Sequence, residues 1–303
     1  MLNQIEGLHH VTSLASDAAA TDAFHRRTLG LRRIKKTVNF DAPEVYHLYY
    51  GDGAGTPGGV MTYFPFPGAR RAPKGTGEVG TVACSVPEGS LGWWAGRLEG
   101  AREETRFGER RLAFEGPDGE AMALAERAGD TRAPWTAEIP AEHAIRGFDG
   151  VHLRVADGGP TDELLRLMGY AAAGTDGAVS RYEVAGGNGA SRVDVEVLPG
   201  TPPAGQGAGS VHHVAFAVAD RARQLEVREA MLDAGHQVTP VIDRDYFWAI
   251  YFRTPEGILF EVATDEPGFA RDEDPAHLGE ALKLPAQHEH LRGALERSLP
   301  PLD

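Results

Sequence analysis

The chain has 303 residues, of which 42% are hydrophobic, so it can bury a large core and suits two domains of about 150 residues each. Its 44 acidic residues against 30 Lys and Arg give a formal charge of -14, which argues against nucleic acid or an anionic membrane as a partner. No apolar run approaches the roughly 20 residues that span a bilayer, and the first residues do not resemble an export signal. The sequence therefore predicts a cytoplasmic protein, with its one cysteine, Cys84, as a small core residue.

Two stretches, residues 8–17 (LHHVTSLASD) and 211–220 (VHHVAFAVAD), nearly repeat each other. Each contains a histidine pair, continues through apolar residues typical of a strand, and closes with an aspartate that can cap a following helix. Successive side chains of a strand point to opposite faces, so one histidine of each pair is expected to look into a shared cavity. The repeat therefore predicts one ligand from each copy.

Four segments of the chain can be overlaid, each with the order strand, helix and three strands. They cover about residues 5–66, 79–126, 148–199 and 210–264. Helices are predicted over 17–29 with Thr21 or Asp22 as the cap, over 90–98 with Ser90 as the cap, over 224–234 and, in the tail, over 288–299. Strands are predicted over 46–50, 59–64, 111–114, 121–125, 246–253 and 258–263, with 51–59 as a hairpin loop.

A polar, proline-containing connection over residues 129–142 is predicted to link two domains. The N-terminal domain is assigned to residues 1–130 and the C-terminal domain to 145–270, each with two of the segments. Residues 271–303 form a tail.

The first and fourth segments, aligned by TPGGVM (56–61) on TPEGIL (254–259), place Tyr63 opposite Glu261. Glu261 lies in an apolar run, where a buried carboxylate is costly unless a cation or hydrogen bonds compensate it; the alternative is an edge strand with Glu261 in water. Two histidines and one carboxylate are typical of non-haem Fe(II) sites, whereas structural zinc prefers thiolates. Neither inner segment opens with a histidine pair, and in the second segment the alignment places Ala123 at the position of Glu261. The outer segments are therefore predicted to hold the site. The apolar pattern does not decide which histidine of each pair faces the metal.

Several stretches of the chain are similar to a known family. They are residues 7–12, 46–50, 55–58, 89–94, 142–148, 212–218 and 253–261. Over about residues 5–285 the chain resembles the (chloro)hydroquinone 1,2-dioxygenases and related bacterial ring-cleaving dioxygenases of the vicinal-oxygen-chelate superfamily. The resemblance implies an α+β fold in which four βαβββ modules form two domains with cup-shaped mixed sheets.

The resemblance also implies particular residues. Fe(II), with Mn(II) or Zn(II) as substitutes, would be bound by the residues that match the family's ligands, His10, His213 and Glu261. Arg244 and Tyr251 match the family's catalytic pocket residues. His9 and His212 would then be core residues or would support the ligands.

The resemblance further implies a ring-cleaving dioxygenase of the extradiol type that acts on hydroquinone-type or related aromatic diols with O2. Arg244 would stabilise developing negative charge, and Tyr251 would orient the ligated oxygen or donate a proton to it. The structural alternatives are a solvated loop charge for Arg244 and a core aromatic for Tyr251. Further candidates are the aromatic residues Tyr63, Phe247 and Trp248, which could stack on the substrate ring, and His47 and His143.

Two other functions fit the same fold. A glyoxalase-type metal-dependent isomerase or lyase normally adds a second carboxylate, and Tyr63 is predicted at that position. A metal-free protein that binds aromatic ligands needs no His10, His213 and Glu261 together. The sequence leaves open the ring substituents of the substrate, the metal bound in the cell and the oligomeric state. A homo-oligomer is one possible state.

Overall fold

Two curled, eight-stranded mixed sheets make up the fold of residues 2–302, which are described by a computed structural model. Each of the four segments contributes a strand, a helix and three strands, as predicted. The predicted α+β class, with four βαβββ modules and two cup-shaped sheets, is confirmed. Within these residues, no helix combines the length and apolar character that crossing a membrane requires.

The sixteen strands overlap all of the predicted ones. They are β1 (Leu8–Ala15), β2 (Arg32–Val38), β3 (Tyr46–Gly51), β4 (Val60–Pro65), β5 (Glu78–Val86), β6 (Arg102–Arg106), β7 (Glu109–Glu115), β8 (Ala121–Glu126), β9 (Gly147–Val155), β10 (Ala171–Asp176), β11 (Val179–Glu183), β12 (Arg192–Val197), β13 (Val211–Val218), β14 (Ile242–Asp243), β15 (Phe247–Arg253) and β16 (Leu259–Pro267). The helices are α1 (Ala18–Ala23), α2 (Leu91–Ala95), α3 (Gly159–Leu167), α4 (Arg221–Asp233) and α5 (Arg292–Ser298). Shorter turns are a π-helix (Phe24–Thr28) and three 3-10 helices (Phe269–Arg271, Pro275–His277 and Ala286–Leu291).

Each sheet combines segments from both halves of the chain. The first has the order β14-β15-β16-β13-β1-β4-β3-β2 and the second β10-β11-β12-β9-β5-β8-β7-β6. The first and fourth segments therefore meet where β1 pairs antiparallel with β13, and the inner two meet where β5 pairs with β9. Each sheet contains strands from both residues 1–130 and residues 145–270. Sheet membership therefore does not test these domain boundaries, which stay a prediction. The outer segments, which were predicted to hold the site, share one sheet.

The cap of α1 is the aspartate that closes the first repeat, as the repeat predicted, and the alternative caps Thr21 and Asp22 are wrong. Asp17, and not Thr21 or Asp22, accepts hydrogen bonds from the N–H groups of Ala19 (2.8 Å) and Ala20 (3.0 Å). A carboxylate before the first helical residue satisfies N–H groups that have no partner within the helix. The same rule operates in the fourth segment, where an aspartate at the end of the repeat also caps the helix.

Two other helices are shorter than predicted. The helix α2 ends at Ala95 instead of Leu98, and Ser90 does not cap it because its hydroxyl donates to the carbonyl of Glu142 (2.9 Å). In the tail, residues 286–291 form a 3-10 helix, so the α-helix begins at Arg292.

The tail is fastened to the first sheet by a buried lysine. Lys35 on β2 is fully buried and forms ion pairs with Asp272 (2.7 Å) and Glu273. Its ammonium also lies 4.5 Å from the centre of the Tyr246 ring, within the range of a cation–π contact. Burying a charge is tolerable only when it is paired, so this cluster holds the start of the tail against the sheet.

The π-helical turn after α1 places His25 inside the protein. Its ring stacks on Tyr50 at 4.7 Å and lies 4.5 Å from Tyr63, and Nδ1 is 2.9 Å from the carbonyl of Thr21. Complete burial disfavours the charged imidazole and lowers the pKa of His25 from 6.5 to about 4.

We expect His25 to make the protein less stable in mild acid. Above pH 6.5 both states carry the neutral ring, whereas between pH 6.5 and about 4 only the unfolded chain binds the proton. The free energy of unfolding should therefore fall with decreasing pH by up to about 1.4 kcal/mol per unit from this group. Urea unfolding at pH 7 and pH 5 should show a smaller fall in the free energy of unfolding for His25→Phe than for wild type. The exposed His277→Phe is the control, and an equal fall in both variants would contradict the assignment.

Candidate metal centre

Matching irregularities occur in the two strands that carry the histidine pairs. The register of β1 against β13 skips His9 on one strand and His212 on the other. An extra residue bends a strand and redirects its side chains. As a result the rings of each pair lie side by side, with Nδ1 atoms 2.9 Å apart for His9 and His10 and 2.8 Å apart for His212 and His213. The expectation that the two histidines of a pair point to opposite faces is therefore wrong.

Three side chains converge from adjacent strands of the first sheet. His10 on β1, His213 on β13 and Glu261 on β16 each offer one ligand atom, and these atoms lie within 4.8 Å of one another. The His213 Nε2 atom is 2.9 Å from Glu261 Oε2 and 3.2 Å from His10 Nε2, and His10 Nε2 is 3.5 Å from the same carboxylate oxygen. All three residues are buried. That they bind a metal stays a prediction.

The surroundings of Glu261 suit a divalent cation. The residue is completely buried in the interior strand β16, so the alternative of an edge strand with Glu261 in water is wrong. Within residues 2–302 neither carboxylate oxygen has a hydrogen-bond partner of normal geometry. Burial opposes ionisation, but the imidazoles of His10 and His213 hold the pKa of Glu261 well below its usual value. An ionised carboxylate without hydrogen bonds is the group that a bound cation would compensate.

The neighbouring histidines can fix the protonation of the two candidate ligands. A ligand ring that uses Nε2 must carry its proton on Nδ1, and that N–H needs an acceptor. Nδ1 of His9 and Nδ1 of His212 lie at hydrogen-bond distance from those atoms of His10 and His213. Burial lowers the pKa of His9 to about 3 and of His212 to about 4, so both are neutral acceptors at neutral pH.

Replacing His9 by phenylalanine should weaken metal binding by about 10- to 100-fold, because the acceptor for the Nδ1 proton of His10 is lost while the ring volume is kept. The measurement is competition for Zn(II) against a chelator of known affinity. His9→Asn, whose side-chain oxygen can accept the same hydrogen bond, should lose less affinity. Equal affinities for wild type and His9→Phe would show that His9 is only a packing residue.

The structure corrects the alignment of the first and fourth segments by one residue. Ala215 on β13 pairs with Glu261, and its counterpart in the repeat, Thr12 on β1, pairs with Thr62. Thr62, and not Tyr63, therefore occupies the position that corresponds to Glu261. Side chains alternate between the faces of a sheet, so Tyr63 points away from the cup and packs against His25.

A cavity of about 560 Å³ opens above the three converging side chains. Of the predicted residues, Arg244, Tyr251, Phe247 and His47 line it together with Leu14, Asn39, Phe40, Asp41, Ala42, Tyr49, Phe64, Phe66, Gln206, His212 and Leu259. Three other candidates do not line this cavity. Tyr63 lies behind the sheet, Trp248 is covered by the guanidinium of Arg221 at 4.8 Å, and His143 stacks on Trp93 at 4.9 Å.

Arg244 and Tyr251 form one wall of the cavity. Arg244 Nε donates a hydrogen bond to the Tyr251 hydroxyl (3.1 Å), and its guanidinium lies 5.4 Å from the Phe40 ring. Tyr251 is paired with Glu261 in the register of β15 and β16, and burial raises the pKa of its hydroxyl, which keeps the proton. The wall therefore presents a cation and a hydroxyl beside the candidate metal centre.

A family model matches this chain over most of its length. The model of the glyoxalase/bleomycin resistance protein/dioxygenase superfamily covers residues 7–262. The chain belongs to this superfamily. The family resemblance seen in the sequence is confirmed.

Individual relatives within the superfamily carry the names of ring-cleaving enzymes. The chain is 40% identical to MhqO of Bacillus subtilis strain 168, which is named as a ring-cleaving dioxygenase; the match covers 100% of this chain and 98% of that protein. It is 35% identical to the chlorohydroquinone/hydroquinone 1,2-dioxygenase of Sphingobium indicum, over 98% and 96% of the two chains. A crystal structure of a B. subtilis protein described as a dioxygenase superposes with a TM-score of 0.96, at 39% identity and 99% and 98% coverage. Glyoxalase I from Zea mays (15% identity, TM-score 0.63, covering 86% and 92%) shares the fold alone.

Proposed function

We propose that the protein is a non-haem, Fe(II)-dependent ring-cleaving dioxygenase of the extradiol type that acts on hydroquinone-type diols. The observation that carries the proposal is the convergence of two imidazoles and one carboxylate at the base of a largely apolar cavity that also holds a cation and a tyrosine hydroxyl. Relatives at 33–40% identity bear the names of ring-cleaving dioxygenases. Mn(II) or Zn(II) is expected to occupy the same ligands.

His10, His213 and Glu261 would hold the ion on one side and leave its other side open to the cavity. Bound Fe(II) supplies open positions for substrate and O2, a lowered pKa for a ligated hydroxyl and electrons for O2 activation. With a divalent ion, the single carboxylate leaves a net charge of +1, which one phenolate neutralises. The ligand set therefore favours a diol that binds through one ionised hydroxyl.

The cavity walls orient the ring and protect it from water. Phe247, which lies 5.0 Å from the His10 ring, and Phe64 can pack against an aromatic substrate. The Arg244 guanidinium would stabilise negative charge that develops on substrate oxygens in a site of low dielectric. Tyr251 retains its proton and can donate a hydrogen bond to the ligated oxygen.

The corrected register separates this proposal from a glyoxalase-type isomerase. That chemistry normally uses a carboxylate from the partner module as a fourth ligand and base. Thr62 stands at the position that corresponds to Glu261, and a threonine hydroxyl is neither an anionic ligand nor a base of comparable strength. A metal-free binder of aromatic ligands would have no use for an ionised carboxylate without hydrogen bonds at the base of its cavity.

Oxygen uptake tests the proposal directly. The protein is loaded with Fe(II) under anaerobic conditions and mixed with oxygenated buffer and hydroquinone, 2-methylhydroquinone or catechol. We expect stoichiometric oxygen consumption and a new semialdehyde absorbance with a para-diphenol. Binding of Fe(II) without oxygen consumption for any diol would contradict the dioxygenase assignment, and hemithioacetals would then be the substrates to try.

A further inference from the structure

A chain of buried hydrogen bonds runs from the candidate metal centre to β4 and β3. Thr12 Oγ1 lies 2.8 Å from His213 Nε2 and 2.7 Å from Thr62 Oγ1. Thr62 Oγ1 is 2.9 Å from His47 Nε2, and His47 Nδ1 is 2.9 Å from the Tyr49 hydroxyl. All of these residues are buried, and both His47 and Tyr49 reach the cavity wall.

The pseudo-symmetry of the first sheet gives this chain a counterpart. Tyr251 pairs with Glu261 across β15 and β16, and Tyr49 pairs with Thr62 across β3 and β4. Tyr49 is therefore the first-module equivalent of Tyr251. The two tyrosines differ in their partners, because Tyr251 accepts a hydrogen bond from a permanently charged guanidinium and Tyr49 contacts an imidazole. One tyrosine thus has a fixed cation as its partner, and the other has a group that can take up a proton.

The first link of the chain must change when a metal binds. His213 Nε2 has one in-plane site, occupied by a lone pair or a proton, and the Thr12 hydroxyl lies at hydrogen-bond distance from it (2.8 Å). A metal on Nε2 takes that site, which leaves the Thr12 hydroxyl beside the ligand atoms with a hydrogen bond to form. An oxygen of a substrate bound at the metal would offer it a new partner.

We propose that His47 receives, through Thr62 and Thr12, the proton that a substrate hydroxyl loses on binding. The substrate O–H bond breaks and its proton passes to Thr12, the Thr12 proton passes to Thr62, and the Thr62 proton passes to His47 Nε2. The products are a phenolate and an imidazolium, whose Nδ1–H donates to the Tyr49 oxygen. No oxidant is consumed, and the charge is conserved. Burial, followed by the nearby His10 and His213, lowers the pKa of His47 well below 6.5, so the ring is neutral before the substrate binds and holds the proton only transiently.

This proposal rests on the proposed function, but its test needs no oxygen chemistry. The Zn(II)-loaded protein is mixed in a stopped-flow instrument with nitrohydroquinone, whose phenolate absorbs at longer wavelength than the phenol. We expect His47→Phe and Thr62→Val to form the bound phenolate about 100-fold more slowly than wild type, the size of a general-base contribution. The equilibrium affinities for Zn(II) and for the probe should stay within about twofold. A merely structural role would not separate the rate from the affinity in this way.

Two controls sharpen the result. Tyr63→Phe removes a hydroxyl from the residue next to Thr62, but on the other face of β4, and should leave the rate unchanged. In His47→Ala, added imidazole should restore much of the rate, because His47 lines the cavity. Wild-type rates in both His47→Phe and Thr62→Val would overturn the relay and leave the proposed function intact. Failure of wild type to bind the probe would overturn both.

Discussion

The Glu261→Gln variant is expected to bind Fe(II) or Zn(II) at least about 100-fold more weakly than wild type and to show no oxygen consumption with hydroquinones. The substitution keeps the shape of the side chain and removes the one anionic ligand. A divalent ion would then leave a charge of +2 in a buried site, which one phenolate cannot neutralise. Metal content after dialysis and the metal dependence of the melting temperature both measure this effect.

The metal-free Glu261→Gln protein should be no more stable than metal-free wild type at neutral pH. His10 and His213 hold the pKa of Glu261 well below its usual value, so the ionised carboxylate stabilises the folded state even without a cation, and the amide lacks that charge. Only wild type should gain melting temperature with added metal, as expected for a ligand that binds the folded state alone. Glu120→Gln, a buried carboxylate outside the cavity, is the matched control and should keep the metal response. An unchanged metal response in Glu261→Gln would exclude the proposed ligand set.

Arg244→Met should lower kcat by about 100-fold or more and leave the metal affinity unchanged. The variant keeps much of the length of the side chain and removes the cation that faces the cavity, and a preorganised charge of this kind contributes 10²- to 10³-fold in other enzymes. Tyr251 would also lose its hydrogen-bond donor. Steady-state oxygen uptake with the preferred diol measures the effect.

A nearby arginine provides the control for this substitution. Arg271 donates to the carbonyl of Asp245 in the same region but does not line the cavity. Arg271→Met should therefore keep kcat within about twofold. If Arg244→Met raised KM and left kcat unchanged, Arg244 would contribute to uniform substrate binding and not to stabilisation of the transition state.

Much of the fold could be predicted from the sequence because its local patterns agree with the final structure. The two histidine-pair repeats became β1 and β13, and the strand and helix order of all four segments was recoverable from apolar patterns and turn residues. Which segments share a sheet was not recoverable. That choice depends on contacts between residues far apart in the chain, such as the pairing of β1 with β13 and of β5 with β9.

The candidate site was predicted in part. The wrong predictions about the histidine pairs and about Tyr63 each come from a shift of one residue along a strand. Bulges at His9 and His212 bring both histidines of each pair together, and a strict alternation rule has no means of showing this. The alignment by similar turn sequences placed Tyr63 opposite Glu261, although the strand register gives that position to Thr62. A shift of one residue exchanges the two faces of a strand, so Thr62 and its partner Tyr49 were missed.

Isotope labelling tests the central claim most directly. The Fe(II)-loaded protein would be given a hydroquinone that supports oxygen uptake under an atmosphere of ¹⁸O2, and the product would be examined by mass spectrometry under conditions that limit exchange with water. We expect a ring-opened acid that contains both atoms of one O2 molecule. A product with an intact ring, or one without label from O2, would contradict a ring-cleaving dioxygenase.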